Sequence, residues 1–319
     1  MRHRLLNLLR IVISLGLLIF LLAKVGMRET WESLQGANVG YLLAVFLLYL
    51  LSIVLRSYRW RIFLNAQGVR ASLPKLISLY LIGVFFNLVL PSGFGGDVVR
   101  IYELSQHSSR TPSSITTVFM DRLSGFLALF AMAASALAFS YRLVPPEVGV
   151  TIIAIFLASL VGTGALFSHP LWRRLRGLPL LSSLAHKDSV KELYLSAQTY
   201  SLVPFVQAIS LSLAFNILLM IMNYLAALSF GVRISFWYFL LFIPIISFLL
   251  VLPISLGGLG VREGAYLYLF SRVGVPSSSA LAISLSIYAV TVATGLIGAL
   301  IYAVEGYRGM RGEKGSEDE

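Results

Sequence analysis

The sequence predicts an all-α polytopic membrane protein with six full spans and two re-entrant helical hairpins, which together make eight hydrophobic segments. The first observation is composition, because 58% of the 319 residues are hydrophobic and 12% are charged. The second is that apolar runs of about 20 residues recur along the chain, as membrane helices require, without the alternation typical of barrel strands. The third is a motif that occurs twice. It predicts an inverted repeat within a single transmembrane domain (1–319), with repeat 1 at about 5–140 and repeat 2 at about 148–304.

The duplicated motif relates the two halves of the chain. Residues 89–100 are VLPSGFGGDVVR and residues 251–262 are VLPISLGGLGVR, so seven of twelve positions match at an offset of 162. A second pair, GVRAS at 68–72 and GVRIS at 231–235, matches at an offset of 163. Two matched pairs in the same order indicate a duplication. Broken helices at corresponding positions of two halves are typical of a transporter's binding site.

The full spans are predicted from apolar runs long enough to cross the hydrocarbon core, which is roughly 30 Å thick. They are expected at 5–25, 39–55, 114–140, 148–167, 203–230 and 278–304. The first run follows a basic N-terminus and resembles a signal peptide. Because no small-residue cleavage site follows it, we predict an uncleaved span.

Two shorter apolar segments lead into the motifs. Residues 76–90 would form a helix about 22 Å long at 1.5 Å per residue, too short to cross the core. Residues 236–252 occupy the corresponding place in the second half. Each motif then puts a proline and a glycine pair inside an apolar run, where a membrane helix breaks. Short helices are predicted to follow the breaks at 98–106 and 264–270.

Two polar segments complete the chain. Residues 169–200 mix arginines and lysines with Trp172 and several leucines. That mixture suits an amphipathic segment on an anionic membrane surface, and it equally suits a solvated linker between the repeats. Residues 305–319 are predicted to form a polar cytoplasmic tail, disordered from residue 312.

The distribution of positive charge predicts the topology. If the N-terminus, residues 56–75, residues 169–200 and the tail are all cytoplasmic, 18 of the 25 Lys and Arg residues lie on that side when Arg100 and Arg110 are counted with them, as the positive-inside rule requires. Arg56, Arg59 and Arg61 then form an interfacial anchor. Both termini are cytoplasmic in this arrangement. The first hairpin enters and leaves on the cytoplasmic side and the second on the outer side, so the halves have inverted topology.

Composition also excludes several functions. The net charge is +11, but Lys and Arg in a membrane protein mainly report orientation and contact with anionic headgroups, so no nucleic-acid partner is expected. The chain has no cysteine, which excludes disulfides and thiolate chemistry. It contains no G-x-S-x-G, H-E-x-x-H or P-loop motif, and its four histidines lack ligand spacing. We therefore expect no enzyme, no metal and no cofactor.

The two motifs are the candidate binding site. Gly95-Gly96 and Gly257-Gly258 permit a sharp turn and close backbone approach, and a helix that restarts after each pair presents unpaired N–H groups to an anionic group. The alternative is that these glycines only allow helices to pack closely. Further candidates from the motifs are Pro91, Ser92, Pro253 and Ser255.

Six ionisable residues are expected at or near membrane depth: Asp97, Arg100, Asp121, Arg122, Arg262 and Glu263. Unpaired charges are costly there, so these residues should pair or line a water-filled cavity. Asp97 and Arg100 are three apart and can meet on one helix turn, whereas Asp121 and Arg122 are adjacent and need partners elsewhere. Arg122 and Arg262 are expected to meet a lipid phosphate or the carboxylates Asp97 and Glu263. Alternatively, Asp97 is a helix N-cap, and Asp121-Arg122 lies at the cytoplasmic end of its span.

Three stretches carry a resemblance to a known family: LPSGFGGDVVR at 90–100, FMDRLSG at 119–125 and GGLGVREG at 257–264. Together they resemble the transmembrane, flippase-like region of the bacterial lysylphosphatidylglycerol synthases and its stand-alone relatives in bacteria and archaea. The resemblance covers nearly the whole chain and implies a lipid-translocating module in a prokaryotic plasma (inner) membrane, with the six ionisable residues as its motif residues. The second motif has Leu259 where the first has Asp97, so the two tips are not expected to be chemically equivalent.

The full synthases continue with further spans and a soluble domain that transfers an aminoacyl group from charged tRNA. The 319 residues do not include that part, so lysyl transfer is not expected of this polypeptide. The expected function is translocation of a phospholipid or polyprenyl-type lipid, whose charged headgroup crosses between the hairpin tips. The alternatives are a non-catalytic subunit that docks a separate lipid-modifying enzyme or glycosyltransferase, and a family-level role in lysylphosphatidylglycerol synthesis. A continuous polar path that links both motifs to both sides of the membrane favours translocation, whereas a sealed apolar interface favours the subunit.

Overall fold

The computed structural model describes residues 16, 19–90, 95–108, 111–176, 194–195, 197–251 and 256–317. Several sequence predictions fall outside these residues. They are most of the first span, most of the polar insertion after residue 176, and four candidate site residues, namely Pro91, Ser92, Pro253 and Ser255.

The described residues are helical or lie in short connections, and they contain no strand. Residues 19–25 are helical and precede the first complete helix. The complete helices are α1 Met27–Gln35, α2 Val39–Ala66, α3 Leu73–Val89, α4 Gly95–Ser108, α5 Thr111–Ser140, α6 Pro146–Phe167, α7 His169–Arg176, α8 Leu202–Ser229, α9 Phe236–Val251, α10 Val261–Ser271 and α11 Ser277–Glu317, with a single 3₁₀ turn at Leu256–Gly258. The all-α membrane class predicted from composition is confirmed.

Five helices of the described chain are long and apolar enough to cross a membrane. They are Val39–Ala66, Ser114–Phe139, Pro146–Phe167, Leu202–Ser229 and Ser277–Glu305, and they coincide with five of the six predicted spans. The sixth, residues 5–25, lies largely outside the described residues. Two shorter apolar helices, Leu73–Val89 and Phe236–Val251, coincide with the segments predicted to lead into the motifs.

Several predicted boundaries were wrong. The short helix after the first motif begins at Gly95, three residues before the predicted start at residue 98. The one after the second motif begins at Val261, also three residues early. Helix α11 continues to Glu317, although low hydropathy had predicted disorder from residue 312. Helix propensity and continuity with the span explain that difference, since Glu, Lys and Arg are good helix formers.

Two long helices are related by the offset of 163 residues that separates GVRAS from GVRIS. Val39–Ala66 and Leu202–Ser229 each have 28 residues, and both ends are shifted by 163. Both helices also end in the same way, because Gly68 and Gly231 follow them with φ angles of 72° and 71°. In each case the next N–H bonds to a carbonyl five residues earlier, at 2.9 and 3.0 Å, which closes the helix end. The matching GVRAS and GVRIS sequences therefore terminate two matching helices.

One end of the helix bundle brings together the end of α2, the start of α3, the start of α8 and the middle of α11. Gln67 at the end of α2 donates to the hydroxyl of Thr199, just before α8, at 2.8 Å. Lys75 at the start of α3 lies 2.8 Å from the carboxylate of Glu305 on α11. These four helix segments therefore share one face of the bundle.

The opposite end brings together the start of α2, the end of α8, the end of α5 and the start of α9. The N–H of Asn38, which caps α2, donates to the carbonyl of Ser229 at 2.8 Å. The rings of Phe139 on α5 and Trp237 on α9 lie with their centroids 5.7 Å apart. Helices α2 and α8 are consequently antiparallel, although they correspond in sequence.

Glycines allow α3 to approach its neighbours closely. A Cβ atom added to Gly96 of α4 would lie 2.1 Å from the carbonyl oxygen of Gly83, and one added to Gly298 of α11 would lie 2.0 Å from the carbonyl oxygen of Leu81. Neither distance leaves room for a side chain. Helix α3 is therefore packed backbone to backbone against both α4 and α11, which fixes the position of the first motif.

Candidate functional site

A cavity of about 440 Å³ lies between the two motifs. Both motifs line it, the first with Gly96 and the second with Gly257 and Gly258. Its polar lining consists of Tyr49, Arg56, Arg59, Tyr80, Asn87, Asp97, Arg100, Asp121, Arg122, Asn216, Ser247, Arg262, Tyr288 and Thr291. The structure thus brings residues of both motifs, 162 positions apart, to one cavity within the helix bundle.

Asp121 is the centre of the charge network on one side of this cavity. Its side chain is 1% exposed and accepts hydrogen bonds from Arg59 at 2.7 Å and from Arg100 at 3.1 Å. The hydroxyl of Tyr80 donates to the same carboxylate. Two guanidinium groups and a phenol from three other helices therefore converge on one buried carboxylate of α5.

Asp97 links the network to the first motif. It accepts from Arg100 at 3.2 Å, as the three-residue spacing predicted, and lies 2.6 Å from Nε of Arg122. Arg122 thus pairs with Asp97, whereas Asp121 pairs with Arg59 and Arg100. The adjacent Asp121 and Arg122 therefore do have partners elsewhere, as predicted. The N-cap alternative for Asp97 was wrong, because Asp97 is the third residue of a helix that already begins at Gly95.

Aromatic rings enclose the Arg100 guanidinium. Its Cζ atom lies 4.1 Å from the ring centre of Trp60 and 3.8 Å from that of Tyr80. A cation held over ring faces in a site with little water is stabilised by the ring quadrupole. Arg100 is therefore positioned by two carboxylates and two rings, and it is 3% exposed.

A second, smaller charge cluster belongs to the second motif. Arg262 donates to Glu263 at 2.8 Å and lies 4.5 Å from the ring centre of Tyr288. Glu263 is fully buried and accepts from the N–H of Gly260 at 2.6 Å and from Ser284 at 3.2 Å. Glu263 therefore caps the start of α10 and orients Arg262, while the guanidinium of Arg262 faces the cavity.

The two glycine pairs have different backbones. Gly95 and Gly96 are already helical, and the N–H of Gly96 donates to the side chain of Asn87 at 2.9 Å. Gly257 and Gly258 precede their helix with φ angles of 56° and 81°, a region that favours glycine. A helix restarts after the second pair, as predicted, but the first pair lies within its helix. The expectation that the two tips differ is met in the backbone as well as in Leu259.

Three residues that line the cavity were not predicted as site residues from the sequence, namely Arg56, Arg59 and Tyr80. The assignment of Arg59 to an interfacial anchor was wrong, because this residue is 6% exposed and donates to Asp121 and to Ser212 at 2.8 Å. Gly125, which follows Asp121 by one helix turn, is a sequence feature that indicates a large side chain packed against this part of α5. A Cβ atom there would lie 2.9 Å from Nη1 of Arg59, so the glycine of FMDRLSG leaves room for a guanidinium.

The described residues contain no cluster of His, Asp and Glu side chains that could hold a metal ion. The carboxylates of the cavity instead lie against arginines. The cavity lining holds five arginines and two aspartates, so its charge favours a negatively charged occupant.

Comparisons with known proteins agree with these motifs. The sequence model of the lysylphosphatidylglycerol synthase TM region matches residues 7–298. A UPF0104 membrane protein of Pyrococcus horikoshii is 26% identical over 304 residues, which cover 87% of this chain and 90% of that protein. A UPF0104 membrane protein of Methanothermobacter thermautotrophicus is 26% identical over 314 residues, covering 88% and 90%. One of Methanocaldococcus jannaschii is 30% identical over 97 residues, 30% of this chain and 29% of that protein.

Proposed function

Since this chain belongs to the lysylphosphatidylglycerol synthase TM region family, we propose that it is a lipid translocator, which moves the charged headgroup of a phospholipid or polyprenyl-type lipid through the cavity between its motifs. The observation that carries the proposal is that one cavity is lined by both motifs and by five arginines. Charged side chains at membrane depth are costly unless they serve a polar pathway or pair with one another. Here four of the five cavity arginines pair with carboxylates, and all five line the cavity.

The size and lining of the cavity suit a headgroup. Its volume of about 440 Å³ falls within the range of roughly 300–1,000 Å³ that is common for small-molecule sites. Asn87, Asn216 and Thr291 add neutral hydrogen-bonding groups to the charged ones. In the proposed mechanism these groups replace the water around the headgroup while the acyl chains remain in the surrounding lipid.

The proposal includes the inverted repeat, with α3–α4 and α9–α10 as two re-entrant hairpins. Its support is the pairing of helix ends. Helix α3 starts beside Glu305, and α4 leads directly into the start of α5, whose other end lies at Trp237. The first hairpin then enters and leaves on one face. Helix α9 starts on the opposite face, and α10 leads into α11, which returns to Glu305, so the second hairpin uses that opposite face.

The proposed location is a prokaryotic plasma membrane with both termini in the cytoplasm, as the positive charges favour. Single cysteines test this topology, since the chain has none of its own. Cysteines at Ser72 and Ser108 should react only with reagent supplied from the cytoplasmic side, and cysteines at Ser235 and Ser271 only from outside. Labelling of Ser72 and Ser108 from opposite faces would refute the re-entrant hairpin.

The chain is proposed to move lipid without synthesising it. The test is purified protein in vesicles that contain a headgroup-labelled anionic phospholipid, with outer-leaflet label destroyed by a membrane-impermeant reagent. The protein should increase the fraction of label that becomes accessible. Aminoacyl transfer from charged tRNA by this chain alone would contradict the second half of the proposal.

Variants connect translocation to the site. Arg122→Ala and Asp97→Ala should each slow translocation by about tenfold or more, because a charge-assisted hydrogen bond is worth about 1.5–3 kcal/mol. Arg173→Ala is the matched control, since Arg173 is exposed on α7 and should leave the rate unchanged. Equal effects at all three positions would show that the cavity is not the route.

The rival function is a non-catalytic subunit that docks a separate lipid-modifying enzyme or glycosyltransferase. The shared cavity favours translocation over this alternative, because a docking subunit has no need for a polar space joining both motifs. If the purified protein does not move labelled lipid across vesicle membranes, yet raises the activity of a co-purifying transferase, the docking subunit becomes the favoured function.

A further inference from the structure

Arg56 differs from the other arginines of the cavity in its partners. Four of the five arginines contact carboxylates in the described part of the chain, at 2.7 Å for Arg59, 3.1 Å for Arg100, 2.6 Å for Arg122 and 2.8 Å for Arg262. Within the same described residues Arg56 has no carboxylate within ion-pair distance. It is therefore the cavity arginine whose charge the described protein does not neutralise.

The contacts that Arg56 does make leave most of its donors unused. Its Nε and Nη2 atoms lie 3.4 and 3.5 Å from the carbonyl and hydroxyl of Ser52, at or beyond the long end of hydrogen bonding. Its Cζ atom lies 5.0 Å from the ring centre of Phe215, 5.6 Å from that of Tyr80 and 5.8 Å from that of Tyr49. Ring faces stabilise the charge but supply no strong acceptor. Three of the five N–H groups of this guanidinium have no acceptor among the described residues.

Arg56 also lies deep in its helix. It is the eighteenth of the 28 residues of α2, about 26 Å from the first residue and about 15 Å from the last at 1.5 Å per residue. A cation within a membrane-spanning helix that has no counter-charge among the described residues is costly, and such residues in membrane proteins typically mark a functional site.

Arg56 lines two neighbouring cavities. A second cavity of about 200 Å³ adjoins the first, and Arg56 and Arg262 line both. The larger cavity has three more arginines than aspartates in its lining, and adding the buried Glu263 still leaves an excess of two positive charges. The Arg56 guanidinium is therefore available to an anionic group in either cavity.

We propose that Arg56 binds an anionic phosphate group, and that this phosphate belongs to the headgroup of the lipid that the protein moves. The lipid part of this inference rests on the proposed function. The anion-binding part does not, because it follows from the unneutralised guanidinium and the charge of the lining. A planar guanidinium with free parallel N–H groups is the side chain best suited to bind phosphate oxygens in a bidentate way.

The test is binding to the purified full chain in a non-ionic detergent, measured by calorimetry. The probes are dihexanoyl phosphatidic acid, dihexanoylglycerol, which has the same acyl chains without phosphate, and inorganic phosphate. Wild type should prefer the phosphatidic acid over the diacylglycerol. Arg56→Gln should reduce that preference by about tenfold or more, as loss of a charge-assisted hydrogen bond requires, while Arg173→Gln should keep it.

Each outcome decides a separate point. If inorganic phosphate competes with the phosphatidic acid, the phosphate alone is the recognised ligand; if it does not, recognition needs the lipid headgroup, and both results support phosphate binding. Arg56→Lys keeps the positive charge but loses the two parallel N–H donors of the guanidinium. It should therefore retain only part of the preference for phosphatidic acid over diacylglycerol. It serves as the test if Arg56→Gln does not fold.

The inference is wrong if wild type shows no preference, or if Arg56→Gln and Arg56→Lys keep it in full. It can fail while the proposed function stands, when Arg56→Gln translocates lipid at the wild-type rate with the same preference. Conversely, phosphate binding that depends on Arg56 in a protein that moves no lipid would overturn the proposed function alone.

Discussion

Replacing Asp121 by Asn should destabilise the protein by about 3 kcal/mol or more. Asn keeps the shape of the side chain but removes the charge that holds Arg59 at 2.7 Å and Arg100 at 3.1 Å. Two charge-assisted hydrogen bonds at about 1.5–3 kcal/mol each set the scale, and breaking buried ion pairs costs about 3–5 kcal/mol. The lower part of that range applies here, because Arg100 keeps Asp97 as a partner at 3.2 Å.

The assay is the free energy of reversible unfolding in mixed detergent micelles. Arg59→Gln/Asp121→Asn should be less destabilised than the sum of the single variants by about 2 kcal/mol, because the double variant leaves no uncompensated charge on Arg59. Glu32→Gln is the control for loss of a carboxylate. Its pair with Arg28 is on the surface, with side chains 59% and 88% exposed, so the change should stay below about 0.5 kcal/mol. An Asp121→Asn variant within about 1 kcal/mol of wild type, or strictly additive single effects, would refute the account of a buried charged network.

Two further predictions concern packing and a surface pair. Gly96→Ala and Gly298→Ala should each cost about 1–3 kcal/mol or more of unfolding free energy, because the new Cβ atoms would lie 2.1 and 2.0 Å from carbonyl oxygens of α3. Gly162→Ala is the matched control, since nothing lies within 4 Å of its position, and it should be neutral or slightly stabilising; equal costs at all three glycines would contradict the close-packing argument. Lys75→Ala should change stability by less than about 1 kcal/mol, because the Lys75 and Glu305 side chains are 31% and 35% exposed, and a larger loss would mean that this pair closes the bundle end.

Much of the fold could be predicted from the sequence because the bilayer imposes a simple rule. A helix must be apolar over about 20 residues to cross, so hydropathy locates spans such as Leu202–Ser229 closely. Helix ends were predicted less well, because they depend on local capping. Val39–Ala66 continues eleven residues beyond the predicted end at 55, through Arg59, which is buried and bonded to Asp121.

The candidate site was predicted only where its partners are close in sequence. Asp97 and Arg100 share one helix turn, so their spacing predicted the contact. Arg59 reaches Asp121 across 62 positions, and no local pattern distinguishes it from the neighbouring arginines of an interfacial anchor. The glycine pairs have the same sequence but different φ angles, because the residues packed around each pair decide the backbone conformation.

The left-handed glycines of the second motif restrict how this protein can change shape. One route between the states of an inverted-repeat transporter is for each half to adopt the backbone of the other. Gly257, Gly258 and Gly260 all have positive φ, and at the motif offset of 162 the last of them corresponds to Val98. A β-branched residue with positive φ is strongly disfavoured, so the first half cannot take up the conformation of the second at its tip. An exchange of backbone conformation between the two motifs is therefore disfavoured at Val98.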